Sequence, residues 1–247
     1  MTKDSRATET TPKIYIFKQI FGFLILFVII FVFGFAIFST NTEPSNAEKV
    51  WDESTIVGNL EAKNYFIIYS DIMCPYCVAF ENAILENEAA FEKYIQDNDI
   101  LIEVRLSDFL YEYGEAKPIN SRYAAEATYC AKKAGKFWDY YKLAITTVWN
   151  DYFKTLGKAA FTKLNQVDKD YWIKLGQQIN LDDDFVSCVK NDETLEEIIT
   201  NAGKTAKLVN GMPYFKFNSY TNSGFSLSWG WEYVQMYFQA GLDSKKS

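Results

Sequence analysis

Two cysteines separated by two residues, Cys74 and Cys77, are the side chains best placed for covalent chemistry in this 247-residue chain. Pro75 suits the first position of a helix, so the Cys74 sulfur would lie where backbone N–H groups lack partners and the helix dipole favours an anion. A thiolate there can attack a disulfide, and Cys77, one turn along, can close or release the ring. The spacing therefore predicts thiol–disulfide exchange, with Cys74 attacking and Cys77 resolving.

The same spacing also occurs in structural disulfides and in zinc sites. A zinc ribbon needs a second cysteine pair at similar spacing, and the other two cysteines, Cys130 and Cys188, stand alone. The chain has no histidine, which excludes Ser-His-Asp and Cys-His nucleophiles and histidine-ligated metals. We therefore expect neither a metal nor a cofactor.

The elements that would position the two cysteines follow from residue patterns. The run Asn64 to Ser70 is rich in Tyr, Phe and Ile and predicts a buried strand that leads into the cysteine motif. Apolar residues on one face predict a helix over about 75–96, and alternation predicts a strand over 100–106. This strand, helix, strand unit should have parallel strands and a right-handed crossover. A shorter strand-like run, about 49–57, precedes it.

The remainder of the chain divides into a helical part and a return to strand. Helical periodicity fills about 115–207, including helices near 169–179, 181–190 and 192–203. We then expect a strand at 211–217, a turn to 224, a strand at 225–228 and a helix over 230–240. These patterns predict a first α/β part at 49–114, a helical insert at 115–207 and a second α/β part at 208–247.

The N-terminal region predicts a membrane anchor. Ile20 to Phe38 is continuously apolar and would span about 28 Å as a helix, enough to cross a bilayer. Lysines and arginine precede it and glutamates follow it, which places the N-terminus in the cytoplasm. We expect a cytoplasmic tail (1–18), a transmembrane signal anchor (19–40) and a tether (41–48). The alternative is a cleaved signal peptide.

Charge and compartment restrict the partners and the pairing of the other cysteines. The chain has a net charge of −7, and because residues 1–18 carry +2, the rest carries −9, which does not suit nucleic acid. Cys130 and Cys188 fall on apolar helix faces, so they are either buried free thiols or a structural disulfide. An extracytoplasmic location favours the disulfide.

The segment Asp71-Ile72-Met73-Cys74-Pro75-Tyr76-Cys77 resembles the active-site segment of the DsbA-like thiol–disulfide oxidoreductases. Four further segments resemble the same family in its order: Arg105 to Phe109, Tyr123 to Ala131, Gly135 to Trp138, and Gly211-Met212-Pro213. The resemblance covers about residues 47–242. It implies an α/β fold class, a thioredoxin-like fold with an inserted α-helical domain, here preceded by one N-terminal transmembrane helix.

The resemblance also implies roles for single residues. Pro213 would be cis and lie beside the cysteines, and the backbone of Met212 would pair with a substrate peptide. Pro75 would support the active site as the first residue of the helix. Tyr76 stands where the strongest oxidases of the family have histidine. The family often has an acidic residue where this chain has Ile68. Glu81, one turn past Cys77, is either a substitute for that acid or an ordinary solvated glutamate.

The expected function is that of a thiol–disulfide oxidoreductase anchored in the cell membrane, single-pass, with its catalytic domain outside the cytoplasm. It would oxidise reduced or unfolded client proteins and be reoxidised by a membrane partner of the DsbB or vitamin K epoxide reductase type. No dimerisation domain of the isomerase kind precedes the motif, which disfavours an isomerase. We expect a monomer. The alternatives are a reductase or isomerase of the same fold, and a thiolate metal-binding or chaperone module.

Overall fold

The computed structural model of the chain describes residues 50–164 and 166–245. The predicted cytoplasmic tail, transmembrane anchor and tether all lie outside these residues. Within them, no helix is both long enough and apolar enough to span a bilayer.

A five-stranded sheet holds the described part of the chain together, in the order β1-β3-β2-β4-β5. The strands are β1 (Ile56–Gly58), β2 (Asn64–Ser70), β3 (Ile100–Leu106), β4 (Tyr214–Phe217) and β5 (Tyr220–Ser223). β2 and β3 pair in parallel, as the sequence predicts, and β1, β4 and β5 add as antiparallel strands. β2 is therefore a central strand, and the cysteine motif begins where it ends.

The helices pack around this sheet and form the insert. In chain order they are α1 (Pro75–Leu85), α2 (Glu88–Asp97), α3 (Phe109–Glu112), α4 (Ile119–Lys133), α5 (Phe137–Val148), α6 (Lys154–Leu156), α7 (Ala160–Leu164), α8 (Lys169–Gln178), α9 (Asp183–Lys190), α10 (Leu195–Ala206) and α11 (Trp231–Ser244). A π-helical turn, Trp149–Phe153, and a 3₁₀ turn, Gly157–Ala159, connect α5 to α7. The helical content expected between β3 and β4 is present.

The single helix predicted over 75–96 is instead two helices, α1 and α2. Asn87 lies between them. Its side-chain amide donates to the Ala83 carbonyl at 3.0 Å, and its backbone N–H donates to the Ile84 carbonyl. Asparagine competes for backbone groups in this way and so favours helix ends over helix interiors. The apolar periodicity on both sides of the break concealed it in the sequence.

Two strand predictions were also wrong. The strand predicted at 49–57 begins only at Ile56, because Asp52 caps a 3₁₀ turn, Glu53–Thr55, and accepts from the Ser54 N–H at 2.9 Å. Near the C-terminus, the predicted turn contains β5, and residues 225–228 form no strand. Asn218 adopts a positive φ of 51°, which lets the chain reverse immediately after β4.

Alternation along β2 divides the core between the two faces of the sheet. Phe66 and Ile68 pack with α1, α2 and α11, in a cluster that includes Phe80 and Phe238. Tyr69 and Ile67, which are two residues apart, face the other side and pack with the two cysteines of the motif. A third cluster, in which α4, α5, α8 and α9 meet, continues to Val78 of α1 and Leu106 of β3.

A buried ion pair ties the first described residues to the sheet. Glu103 and Arg105 of β3 are both buried, and their charged atoms lie 2.7 Å apart. Glu103 also accepts from the backbone N–H groups of Trp51 and Asp52 at 2.6 and 3.0 Å, and from the Tyr65 hydroxyl. Because a buried carboxylate needs such partners, the pair fixes the start of the domain against β3.

Candidate active site

Cys74 occupies the N-cap position of α1, between the end of β2 and the helix. Its backbone is extended (φ −81°, ψ 113°), and Pro75 takes the first helical position. The Cys74 N–H donates to the Asp71 carbonyl at 2.9 Å, so a tight turn fixes the sulfur at the helix N-terminus. Both cysteines are free thiols and buried, with 4% of Cys74 and none of Cys77 exposed. The N–H groups of the first turn of α1 and the positive end of its dipole therefore lie at this sulfur.

The Met212–Pro213 peptide bond is cis and lies beside Cys74. The Cys74 thiol donates to the Met212 carbonyl, with sulfur and oxygen 3.7 Å apart. Met212 packs in the same apolar cluster as both cysteines. The structure therefore brings the pair Cys74 and Cys77 together with the pair Met212 and Pro213. More than 130 residues separate the two pairs in sequence.

Tyr76 lies between the two cysteines and is half-buried. Its ring packs both on the cysteine cluster and on the cluster around Phe80, so it spans the edge of the sheet. Tyrosine brings no positive charge to the helix N-terminus.

Cys77 faces the interior, where its surroundings oppose ionisation. Burial raises the pKa of the Cys77 thiol well above its ordinary value, and the neighbouring Cys74 and Glu81 raise it further. A backbone hydrogen bond from Asp71 acts in the opposite direction but is outweighed. Cys77 is thus a protonated thiol in the reduced protein, in keeping with a resolving role.

Glu81 is buried rather than solvated, with 5% of its surface exposed. It lies one helical turn from Cys77, at the distance at which i and i+4 side chains meet. Burial raises the pKa of Glu81 to about 7, although the nearby hydroxyls of Ser70 and Tyr141 lower it and the charge of Asp71 raises it. At neutral pH this carboxyl is therefore about half protonated.

Asp71 is a further residue of the site, although no sequence pattern gave it a role. Its fully buried carboxylate accepts from the N–H groups of Met73 and Leu110, at 2.8 and 2.9 Å, and from the Ser121 hydroxyl at 2.6 Å. Burial nevertheless raises the pKa of Asp71 to about 6. These bonds tie the cysteine loop to α3 and α4. In the sequence, a charged residue directly after a buried strand could have indicated this role.

Cys130 and Cys188 form a disulfide that links α4 to α9, with their Cα atoms 5.8 Å apart. The pair is buried in the insert and belongs to its core cluster, apart from the cysteine motif. The alternative prediction of two buried free thiols is therefore wrong. Among the residues that the structure describes, no three potential metal-ligating side chains cluster together.

Comparison with known proteins reveals a family match. The model of a family described as thioredoxin matches residues 51–222. The search against curated proteins finds no match. Three solved structures have a similar fold: a thioredoxin-like oxidoreductase from Silicibacter pomeroyi DSS-3 (TM-score 0.54, 20% identity, 79% of this chain and 95% of that chain covered), a protein-disulfide isomerase from Novosphingobium aromaticivorans (0.53, 16%, 76% and 96%), and alpha-DsbA1 from Wolbachia pipientis (0.51, 16%, 77% and 93%). At these identities the similarity establishes the fold.

Proposed function

This chain belongs to the thioredoxin family and is a thiol–disulfide oxidoreductase of DsbA-like fold, and from that premise we propose that it works as an oxidase. It would donate a Cys74–Cys77 disulfide to reduced or unfolded client proteins. The observation that carries the proposal is the position of Cys74 at the N-cap of an eleven-residue helix. The Met212 carbonyl beside it supports an approach of the client as an extended strand.

The direction of exchange depends on how strongly the reduced form is stabilised. A thiolate exists only after reduction, so the helix N-terminus that stabilises it makes the disulfide a stronger oxidant. A helix terminus contributes up to about 2 kcal/mol in a partly buried position. That free energy corresponds to about 40 mV for a two-electron couple.

The proposed exchange has two steps. A client thiolate attacks the Cys74 sulfur, forming a mixed disulfide, and Cys77 leaves as a thiolate that takes up a proton. A second client thiolate then attacks the client sulfur of the mixed disulfide and releases the Cys74 thiolate. The client loses two electrons and gains a disulfide, while the protein is left as a dithiol.

Glu81 would supply the proton that Cys77 takes up on leaving and accept it again on reoxidation. The burial of the carboxyl and its electrostatic effect on Cys77 support this role. A group whose pKa is about 7 is half protonated at neutral pH and so serves in both directions. Glu81 would thereby take the role of the acidic residue that the family often has at the position of Ile68.

We further propose that the catalytic domain is a monomer held outside the cytoplasm by the predicted anchor at residues 19–40. The apolar run and the charge asymmetry around it support this topology. The Cys130–Cys188 disulfide suits an oxidising compartment. Reoxidation would need a membrane partner that accepts two electrons, of the DsbB or vitamin K epoxide reductase type.

The reduction potential of the Cys74–Cys77 pair tests the proposal. We expect a value between about −120 mV, that of DsbA, and about −270 mV, that of thioredoxin, and on the oxidising side of about −200 mV. Tyr76→His should raise it, because a partly charged imidazole stabilises the thiolate further. Tyr220→His, on the edge strand β5, is the matched control and should leave it unchanged. A potential near −270 mV would instead assign the protein as a reductase.

A further inference from the structure

A cavity of about 80 Å³ lies on the side of α1 that faces the insert. Its walls are mostly apolar and come from α1, α2, α5 and the sheet. Three aromatic side chains, Phe91, Trp138 and Tyr141, line it. Aromatic faces attract cations, so the walls accept both an apolar group and a positive charge.

The carboxyl group of Glu81 lines the same cavity. Both of its oxygens are fully buried, and although the hydroxyls of Ser70 and Tyr141 are near enough to lower its pKa, no described residue forms a hydrogen bond with either oxygen. The neighbouring Tyr141 hydroxyl donates to Ser70 instead, at 3.4 Å. A buried carboxyl without partners is costly, and a ligand that donates hydrogen bonds would remove that cost.

The charged groups around the cavity are predominantly acidic. Glu88 and Glu92 of α2 line it and are exposed, and Lys142 of α5 forms an ion pair with Glu88. With Glu81, three carboxyl groups face one ammonium group. The resulting potential attracts cations and excludes anions.

We propose that this cavity is a binding site for a small organic cation, an ammonium group on a short alkyl chain. The ammonium would bind the Glu81 carboxylate, and the alkyl chain would lie against the aromatic walls. The site does not depend on thiol exchange or on its direction. Glu81 lies one helical turn from Cys77 and acts on its pKa, so an occupant would also change the charge that this thiol experiences.

The size of the cavity limits the ligand. A cavity of about 150 Å³ lined by apolar side chains admits benzene, and a single water needs about 10–15 Å³. At about 80 Å³, this cavity suits a ligand of four or five non-hydrogen atoms. The probe of choice is n-butylammonium, which is fully charged below pH 9.

Binding should depend on pH through the ionisation of Glu81. The charged or titratable groups that face Glu81 are Asp71 and Cys77 at the active site, Tyr141 and Lys142 on α5, and Glu88 and Glu92 on α2. With the pKa of Glu81 at about 7, the charged fraction rises about tenfold between pH 6 and pH 8. The apparent affinity for an ammonium should rise by the same factor.

Isothermal titration of the full-length protein with n-butylammonium tests the proposal. We expect saturable binding at one site, about tenfold tighter at pH 8 than at pH 6, with about half a proton released per ligand at pH 7. Proton release is measured by repeating the titration in buffers of different ionisation enthalpy. Neutral n-butanol should bind at least tenfold more weakly, and butyrate should not bind.

Variants locate the site. Glu81→Gln should weaken butylammonium binding about ten- to hundredfold and abolish proton release. Glu92→Gln, an exposed change that leaves the core intact, should weaken it about two- to threefold. Glu86→Gln, an exposed glutamate of the same region that does not line the cavity, is the matched control. Equal binding of butanol and butylammonium, or unchanged binding in both cavity variants, would overturn the proposal.

Discussion

Replacing Glu81 with glutamine should change how the stability of the protein depends on pH. In the folded protein, burial raises the pKa of this carboxyl from 4.5 to about 7. The folded state therefore binds the proton more tightly than the unfolded state does. This contribution to stability is fully present below pH 4.5 and is lost as the pH rises through about 7. Glutamine carries no titrating group, so the variant lacks this loss.

The magnitude follows from the two pKa values. Proton linkage predicts that the free energy of unfolding falls by about 2–3 kcal/mol between pH 5 and pH 8 on account of Glu81 alone. Asp71 also has a raised pKa, about 6, and contributes in the same direction, but it is present in both proteins, so only its coupling to Glu81 enters the comparison. The Glu81→Gln variant should therefore gain about 2–3 kcal/mol relative to the parent across this range.

Urea unfolding at four pH values, followed by circular dichroism, measures the difference. Both proteins should carry Cys74→Ser and Cys77→Ser, so that no thiol titrates. Glu86→Gln, exposed in the same region, should follow the parent to within about 0.5 kcal/mol. If the difference between parent and Glu81→Gln stays constant from pH 5 to pH 8, Glu81 titrates normally, and its proposed exchange of a proton with Cys77 is wrong.

Three further predictions concern the cysteines and the membrane. Replacing both Cys130 and Cys188 with alanine opens a loop of 58 residues and should lower the free energy of unfolding by about 4 kcal/mol, measured in urea; a loss under 1 kcal/mol would contradict this. Cys74→Ser should abolish exchange with a thiol-containing peptide, whereas Cys77→Ser should accumulate mixed disulfides visible on non-reducing gels; the reverse pattern would exchange the two roles. In membrane vesicles, external protease should digest the catalytic domain while residues 19–40 stay in the membrane, and a soluble form that begins near Thr40 would show cleavage instead.

The sequence alone was sufficient for the parts of this protein that depend on short spacing. Cys74, Pro75 and Cys77 specify a thiol pair at a helix start, because the geometry of one helical turn is the same in every protein. The run from Asn64 to Ser70 specifies a buried strand for the same reason, since side chains alternate with a fixed period. Family resemblance added Pro213, whose position beside Cys74 no local pattern contains.

Only the tertiary structure decided which of the polar groups became part of the site. A helical glutamate such as Glu81 is solvated unless another element covers it, and the cover here is α5, which carries Tyr141 some 60 residues away. Asp71 became an anchor because Leu110 and Ser121 arrive from α3 and α4 to donate to it. Periodicity shows which face of an element is apolar, but the element packed against that face sets the local dielectric and therefore the pKa.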